Sequence, residues 1–257
     1  MRALVGRAIV QFLRCAGAAH VLQSLRRMRA WCSPRQRRNP EAPAMPLHFY
    51  MTPGSCSTGI HILLEALDLS FQVTIVNLLA GDNRKPEYLA INPRGSVPAL
   101  VLEDGTALTS FQAIAGWLAH TYPKAKLLPE GAAGEASTSL VDHVVREIHG
   151  QGYTRIFTTE NYVPRGLPQD EHARRCTAVR VEGRAMVADH LAALSENLSD
   201  DGVLLGHPFG IADAALFYVE FWATKTDLPL PPRLHAHYLR MRARPFVHRV
   251  LREEGYR

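Results

Sequence analysis

Cys56 is the side chain in this 257-residue chain whose setting best suits covalent chemistry. It follows a turn-forming run at residues 52–54 and lies at the start of a stretch, residues 55–67, with apolar side chains at helical spacing. A thiol at a helix N-terminus lies near unpaired N–H groups and the positive end of the helix dipole, which lower its pKa and favour the thiolate. We therefore predict a reactive thiol at Cys56. The alternative is a small buried cysteine that only packs beneath the helix.

The remaining candidate ligands and nucleophiles do not form a familiar site. Cys15, Cys32 and Cys176 are widely spaced, and neither a C-x-x-C pair nor an H-E-x-x-H motif occurs. The sequence thus predicts free thiols in a reducing compartment. The twelve histidines are interpreted as surface residues, with no metal cofactor. The run at residues 54–58 lacks the second glycine of a nucleophile elbow, which argues against a hydrolase.

The elements around Cys56 follow a recognisable order. Strand patterns at residues 47–51, 71–76 and 97–102 alternate with helical patterns at 55–67, 86–90 and 111–120, and Asp104-Gly105 marks a hairpin to a short fourth strand at 107–108. The order β-α-β-α-β-β-α predicts an α/β thioredoxin-like domain over residues 46–125. After a small-residue linker at 129–134, only helical patterns occur, which predicts an all-α domain over residues 135–257. Residues 211–223 are apolar nearly all round, as in a core helix.

The basic charge of the chain is confined to its first 44 residues. This leader carries nine arginines and one acid, whereas the rest has 20 basic and 23 acidic residues, a net charge of −3. The charge therefore gives no support to nucleic-acid binding outside the leader. The leader is predicted to be disordered, and its composition is typical of an organelle transit peptide. It is equally typical of non-coding DNA translated from an upstream start codon, with Met45 as the true start. No run is long and apolar enough to span a membrane. A cytoplasmic location is expected, or an organelle if the leader is functional.

Four segments resemble the glutathione transferase family, and its bacterial beta class in particular: residues 50–57, 88–100, 104–109 and 211–214. They occur in family order over residues 46–257. The resemblance implies a thioredoxin-like domain that binds glutathione as co-substrate, followed by a helical domain. It also implies a homodimer, with Cys56 as the catalytic thiol. Either Cys56 or bound glutathione would carry the thiolate.

The resemblance also assigns the groups that hold glutathione. Val97 and Pro98 match the cis-proline site, where the backbone before the proline pairs with the cysteinyl part of the tripeptide. Ser110 and Phe111 match the site of the γ-glutamyl end, yet they replace the acid and the hydroxyl residue usual there, so that backbone N–H groups and Ser110 remain for the task. Gln112 is a candidate to compensate. Phe111 is also predicted to lie on the dimer surface.

Two further matches lie in the helical domain. His149 matches a histidine that faces the glutathione sulfur, as a hydrogen-bond donor or as an acid-base group with a pKa near neutrality. The alternative is a histidine on a helix surface. Gly210 and Asp213 match a helix-capping box, in which Asp213 is expected to accept a hydrogen bond from the Gly210 N–H.

Two functions follow from these residues. The first is a glutathione transferase that conjugates glutathione to small electrophiles, or reduces disulfides or peroxides through a mixed disulfide at Cys56. The second is a glutathione transferase-like binding or scaffold protein without turnover, which the weakened γ-glutamyl site favours. The sequence does not identify the electrophile.

Overall fold

The computed structural model of the chain describes residues 46–256. The predicted leader, residues 1–44, lies outside the described residues. Among those that are described, no helix is long and apolar enough to cross a membrane.

The first part of the structure is a four-stranded mixed sheet. Its strands are β1 (Leu47–Met51), β2 (Phe71–Ile75), β3 (Ala99–Val101) and β4 (Ala107–Leu108), in the spatial order β2-β1-β3-β4. β1 pairs in parallel with β2, which requires the crossover that the first helix supplies. β3 is antiparallel to both β1 and β4. The third strand is shorter than predicted, because pairing begins only after Pro98.

Helices cover both faces of this sheet. They are α1 (Ser57–Ala66), the short α2 (Pro86–Leu89) and α3 (Phe111–Thr121), with 3₁₀ turns at Asp82–Arg84 and Pro123–Ala125. Helix α1 is buried along most of its length, from Ser57 to Leu64. On one side its His61 ring packs against Phe49 and Phe71 of the sheet, and on the other side the helix contacts helices of the second domain.

The second part is helical throughout. It comprises α4 (Ala132–His143), a π-helical segment (Val144–Tyr153), α5 (Thr154–Phe157), a 3₁₀ turn (Thr159–Tyr162), α6 (Gln169–Ser195), α7 (Ile211–Lys225), α8 (Pro232–Arg242) and α9 (Pro245–Glu253). The predicted fold class is confirmed: a β-α-β-α-β-β-α domain is followed by an all-α domain. The irregular π segment was not predicted from the sequence.

Helix α7 forms the centre of the molecule. All of its residues from Ile211 to Ala223 are buried, as its apolar sequence predicts. Asp213 accepts a hydrogen bond from the Gly210 N–H at 2.8 Å, so the predicted capping contact is confirmed. Gly210 is required there for a reason not visible in the sequence: a Cβ on it would lie 2.3 Å from the carbonyl oxygen of Leu127.

Two buried histidines correct the expectation that the histidines lie on the surface. His61 in α1 and His237 in α8 both have no exposed area. His237 lies between two buried carboxylates of α7, 2.8 Å from Glu220 Oε2 and 3.2 Å from Asp213 Oδ1. Burial alone would lower the pKa of His237, but Glu220 and Asp213 outweigh it and raise the pKa to about 9. A protonated His237 thereby balances one of the two carboxylates of α7, and burial raises the pKa of Glu220 to about 7.

Candidate active site

Cys56 stands at the N-cap of α1, as predicted. The turn before it is closed by a hydrogen bond from Ser55 N–H to the Thr52 carbonyl at 3.1 Å, and Ser57 Oγ donates to the same carbonyl at 3.0 Å. Gly54 adopts a positive φ of 72°, which a side chain would strain. The Thr-Pro-Gly-Ser sequence therefore sets the position from which the Cys56 side chain leaves the helix.

The Cys56 thiol lies beside the Val97 loop. Its Sγ donates to the Val97 carbonyl oxygen at 3.3 Å, and the residue is 7% exposed. Burial raises the pKa of this thiol to about 12, although the backbone N–H groups of Cys56 and Ser57 act in the opposite direction. The prediction of a lowered pKa is therefore wrong for the ligand-free chain. Desolvation outweighs the helix N-terminus, since the thiolate would lose its water to a largely apolar site.

The Val97–Pro98 peptide bond is cis, as the resemblance implied. The loop before it is fixed by side chains that the sequence analysis did not single out. Tyr88 Oη and Asn92 Nδ2 donate to the Ser96 carbonyl at 2.5 and 2.6 Å. Asn83 Nδ2 donates to the Gly95 carbonyl at 2.7 Å, and this amide is buried. The backbone next to the Cys56 thiol is thus held rigidly.

Ser110 and Phe111 open helix α3 in different ways. Ser110 is its N-cap, and its Oγ accepts a hydrogen bond from the Ala113 N–H at 3.1 Å. Phe111 is only 3% exposed within its own chain, and its ring lies 5.5 Å from that of Tyr218. The prediction that Phe111 lies on a dimer surface is therefore wrong. An apolar side chain at this position fills the space between α1 and α7.

Gln112, the side chain expected to compensate for the missing acid, has another contact. Gln112 Nε2 lies 3.4 Å from Asp142 Oδ1 in α4, which connects the two domains. Ser110 and the first N–H groups of α3 remain the candidates for the γ-glutamyl end.

His149 lies in the π-helical segment, packed among aromatic rings. Its ring centroid is 4.9 Å from that of Trp222 and 5.8 Å from that of Tyr218, both edge-on. Burial lowers the pKa of His149 to about 4, so the imidazole is neutral near pH 7. The predicted pKa near neutrality is wrong, because burial disfavours the charged ring and, within residues 46–256, no carboxylate offsets this effect. A role as a neutral hydrogen-bonding group stays open.

Tyr218 of α7 is a site residue that the sequence analysis missed. Its hydroxyl lies 3.4 Å from His149 Nδ1. Burial raises the pKa of Tyr218 well above its ordinary value, and the charge of a Cys56 thiolate would raise it further. Tyr218 thus connects the neighbourhoods of Cys56 and His149. Inside an apolar helix it carries no sequence signal of its own.

The second domain clamps the turn that precedes Cys56. The Gly54 N–H donates to Glu254 Oε2 at 2.7 Å, and its carbonyl accepts from Trp222 Nε1 at 2.8 Å. A Cβ on Gly54 would lie 2.1 Å from the hydroxyl of Tyr256. Three side chains remote in sequence therefore position the thiol through the backbone of one glycine.

A cavity of about 390 Å³ lies on the other face of the sheet. Its lining includes His48 and Tyr50 of β1, which alternate with the buried Phe49 and Met51. None of the predicted site residues lines this cavity. The candidate active site is therefore the region of Cys56, Val97 and Tyr218.

Comparison with known proteins gives matches to both parts of the chain. The family model described as glutathione S-transferase, N-terminal domain, matches residues 54–121, and that described as glutathione S-transferase, C-terminal domain, matches residues 163–250. The glutathione S-transferase GstA of Escherichia coli O157:H7 is 34% identical over 81% of this chain and 99% of its own length. A maleylacetoacetate isomerase of Pseudomonas aeruginosa is 28% identical over 65% of this chain and 76% of its own.

Solved structures agree with these matches. A glutathione transferase homologue from Sulfitobacter, solved with bound glutathione, superposes with a TM-score of 0.72 at 26% identity, over 82% of this chain and 99% of that one. A bacterial beta class glutathione S-transferase from Sphingomonas chungbukensis has a TM-score of 0.64 at 27% identity, over 81% of this chain and 98% of its own.

Proposed function

This chain belongs to the glutathione S-transferase family, and we propose that it uses glutathione as co-substrate with Cys56 as the reacting thiol. The observation that carries the proposal is the 3.3 Å contact between Cys56 Sγ and the Val97 carbonyl, next to the cis bond to Pro98. A tripeptide that pairs with the Val97 backbone as an added strand would bring its own cysteine to this thiol.

Binding of glutathione also supplies a way to activate Cys56. In the ligand-free chain the thiol donates to the Val97 carbonyl, which favours the protonated sulfur. A ligand N–H that donates to this carbonyl would compete with the thiol for it. Freed from this acceptor, the sulfur retains the N–H groups of Cys56 and Ser57, both of which lower its pKa. Activation would thus depend on the presence of the co-substrate.

The proposed reaction is thiol transfer. The Cys56 thiolate attacks the glutathione sulfur of a mixed disulfide, forms an S–S bond to it and releases the other thiol as a thiolate. A second glutathione thiolate then attacks the Cys56-bound sulfur, gives oxidised glutathione and restores the Cys56 thiolate. Each step breaks one S–S bond and forms another. Reduction of peroxides by the same thiol, and conjugation of bound glutathione to an electrophile, belong to the same proposal.

The remaining predicted residues have supporting tasks. Ser110 and the first backbone N–H groups of α3, from Phe111 on, would hold the γ-glutamyl carboxylate at a helix N-terminus. Tyr218 and the neutral His149 would donate hydrogen bonds to the sulfur that carries charge in the reaction. The proposal further includes a homodimer acting in the cytoplasm.

A second candidate function is glutathione binding without turnover. Burial of Cys56 favours it, because burial raises the pKa of the thiol to about 12 and so keeps it protonated near pH 7. Such a protein would bind glutathione and leave Cys56 unmodified.

Glutathione titration by calorimetry, with intact-mass spectrometry on the same samples, separates the two functions. Transferase chemistry predicts binding together with a glutathione adduct after exposure to oxidised glutathione, lost in Cys56→Ala and retained in Cys176→Ala. Binding without an adduct supports the second candidate. An adduct that persists in Cys56→Ala would disprove the assignment of the thiol, and absence of binding would disprove both functions.

A further inference from the structure

A second cluster of ligand-type side chains lies at the other end of helix α1, where it meets α9. His61 and Glu65 stand one turn apart in α1, and Glu253 ends α9. One ligand atom from each of these residues lies within 4.8 Å of the others. The side chains of His61, Glu65 and Glu253 are 0%, 10% and 13% exposed. The cluster is therefore a largely desolvated site and not a solvated charged surface.

The His61 ring is oriented as a ligand would be. Its Nδ1 lies 2.9 Å from Glu254 Oε1, a carboxylate that also accepts from Thr58 Oγ1 at 2.7 Å. Its Nε2 is buried, makes no hydrogen bond within residues 46–256, and lies 3.6 Å from Glu253 Oε2, near enough for ion pairing. Glu253 Oε2 is likewise buried without a hydrogen bond. A carboxylate behind one ring nitrogen, with the other nitrogen facing a second carboxylate without a hydrogen bond, is an arrangement compatible with a metal-bound histidine.

The cluster has an excess of negative charge that a bound cation would balance. Glu65, Glu253 and Glu254 carry three negative charges, and Arg249, whose Nη1 is 2.9 Å from Glu65 Oε2, carries one positive charge. Even a protonated His61 leaves the carboxylates in excess by one. A divalent ion on a neutral His61 would balance the cluster together with Arg249. Buried carboxylates without a balancing cation are costly.

We propose that His61, Glu65 and Glu253 bind a divalent first-row metal ion between α1 and α9. One imidazole nitrogen and two carboxylates suit Mn²⁺, Fe²⁺ or Zn²⁺. His61 and Glu65 supply two ligands from one helix face, as residues four apart do, and Glu253 supplies the third from the other domain. The ion would tie the helix that begins at Cys56 to the C-terminal end of the chain. This site lies outside the proposed glutathione chemistry and does not depend on it.

Titration with Mn²⁺, followed by loss of the free-ion electron paramagnetic resonance signal, tests the site. Mn²⁺ has little affinity for the thiols elsewhere in the chain. The full chain is first treated with a chelator, and the titration is run at pH 8. Metal ligands must be deprotonated to bind, so protons compete with the ion at lower pH.

We expect one Mn²⁺ per chain, with affinity weakened at least about tenfold in Glu65→Gln and in Glu253→Gln. Glu196→Gln, at an exposed carboxylate, is the matched control and should bind as the parent does. Thermal unfolding gives a second readout: Mn²⁺ should raise the midpoint of the parent and of Glu196→Gln, but not that of Glu253→Gln. Circular dichroism establishes that each variant is folded.

Two results would overturn the site. One is the absence of Mn²⁺ binding to the folded, chelator-treated chain. The other is binding that Glu65→Gln and Glu253→Gln leave unchanged, which would locate the ion elsewhere, for instance at the neighbouring rings of His143 and His190.

Discussion

The protonation of Cys56 in the ligand-free chain gives a quantitative prediction about its reactivity. A pKa of about 12 in place of the ordinary 9.0 lowers the thiolate fraction near pH 7.5 about 1,000-fold, because each pH unit is a factor of ten. A thiolate of higher pKa is intrinsically more nucleophilic, by about 16- to 32-fold for three units. Alkylation of Cys56 should therefore be about 30–60 times slower than that of an ordinary thiol, before access is considered.

The assay is timed alkylation with iodoacetamide, followed by peptide mapping and mass spectrometry. The matched control is the same cysteine in the urea-unfolded chain, where the burial that raises its pKa is gone. In the folded chain the rate should rise about tenfold per pH unit from pH 7.5 to 10 without reaching a plateau. Partly exposed Cys176 is followed in the same digest as a measure of general reagent access.

A native rate at pH 7.5 equal to that of the unfolded chain would refute the reasoning, as would a plateau below pH 9. Either result would mean that the helix N-terminus outweighs burial. In that case the thiol would be activated before glutathione binds, and competition for the Val97 carbonyl would be unnecessary.

Three further predictions concern stability. Gly59→Ala should lower the free energy of unfolding by about 2 kcal/mol or more, because its Cβ would lie 2.6 Å from a backbone oxygen of α7. In contrast, Gly116→Ala should raise the free energy of unfolding by about 0.5–1 kcal/mol, because a Cβ at Gly116 would have no described atom within 4 Å. Urea unfolding measures both, and equal effects would contradict the packing argument. Trp222→Phe removes the donor to the buried Gly54 carbonyl, so it should lower the free energy of unfolding by about 1–3 kcal/mol. It should also slow the formation of the glutathione adduct at Cys56. An unchanged adduct rate would show that the Trp222 contact does not position the thiol. The pKa of His237 is raised from 6.5 to about 9 in the folded chain. Its contribution to the free energy of unfolding is therefore complete below pH 6.5 and is lost as pH rises through 9. Urea unfolding of the parent should show this decline, of order 1–3 kcal/mol, and His237→Gln should reduce it; an equal decline in both proteins would assign it to other groups.

The sequence predicted what depends on neighbours along the chain. The turn before Cys56, the strand order of the first domain and the apolar helix at residues 211–223 follow from turn residues and periodicity, which are local properties. The capping contact at Asp213 was likewise predictable, because it spans three residues. The family resemblance supplied the cis bond at Pro98, which composition does not indicate.

What the sequence did not determine depends on residues that meet only in the folded chain. The direction of the Cys56 pKa shift follows from desolvation by distant elements, so a rule about helix ends gave the wrong sign. Phe111 was placed on a surface, whereas the chain packs it against Tyr218 of α7.

The contacts of the buried charged residues likewise depend on the tertiary structure. His61 and His237 each lie between carboxylates whose positions come from another helix, and no spacing along the chain brings them together. Local sequence thus determined the elements and the point from which the Cys56 thiol leaves its helix. The burial of individual polar side chains and the pKa shifts that follow from it are sums over the whole packed chain, and these were decided by the tertiary structure.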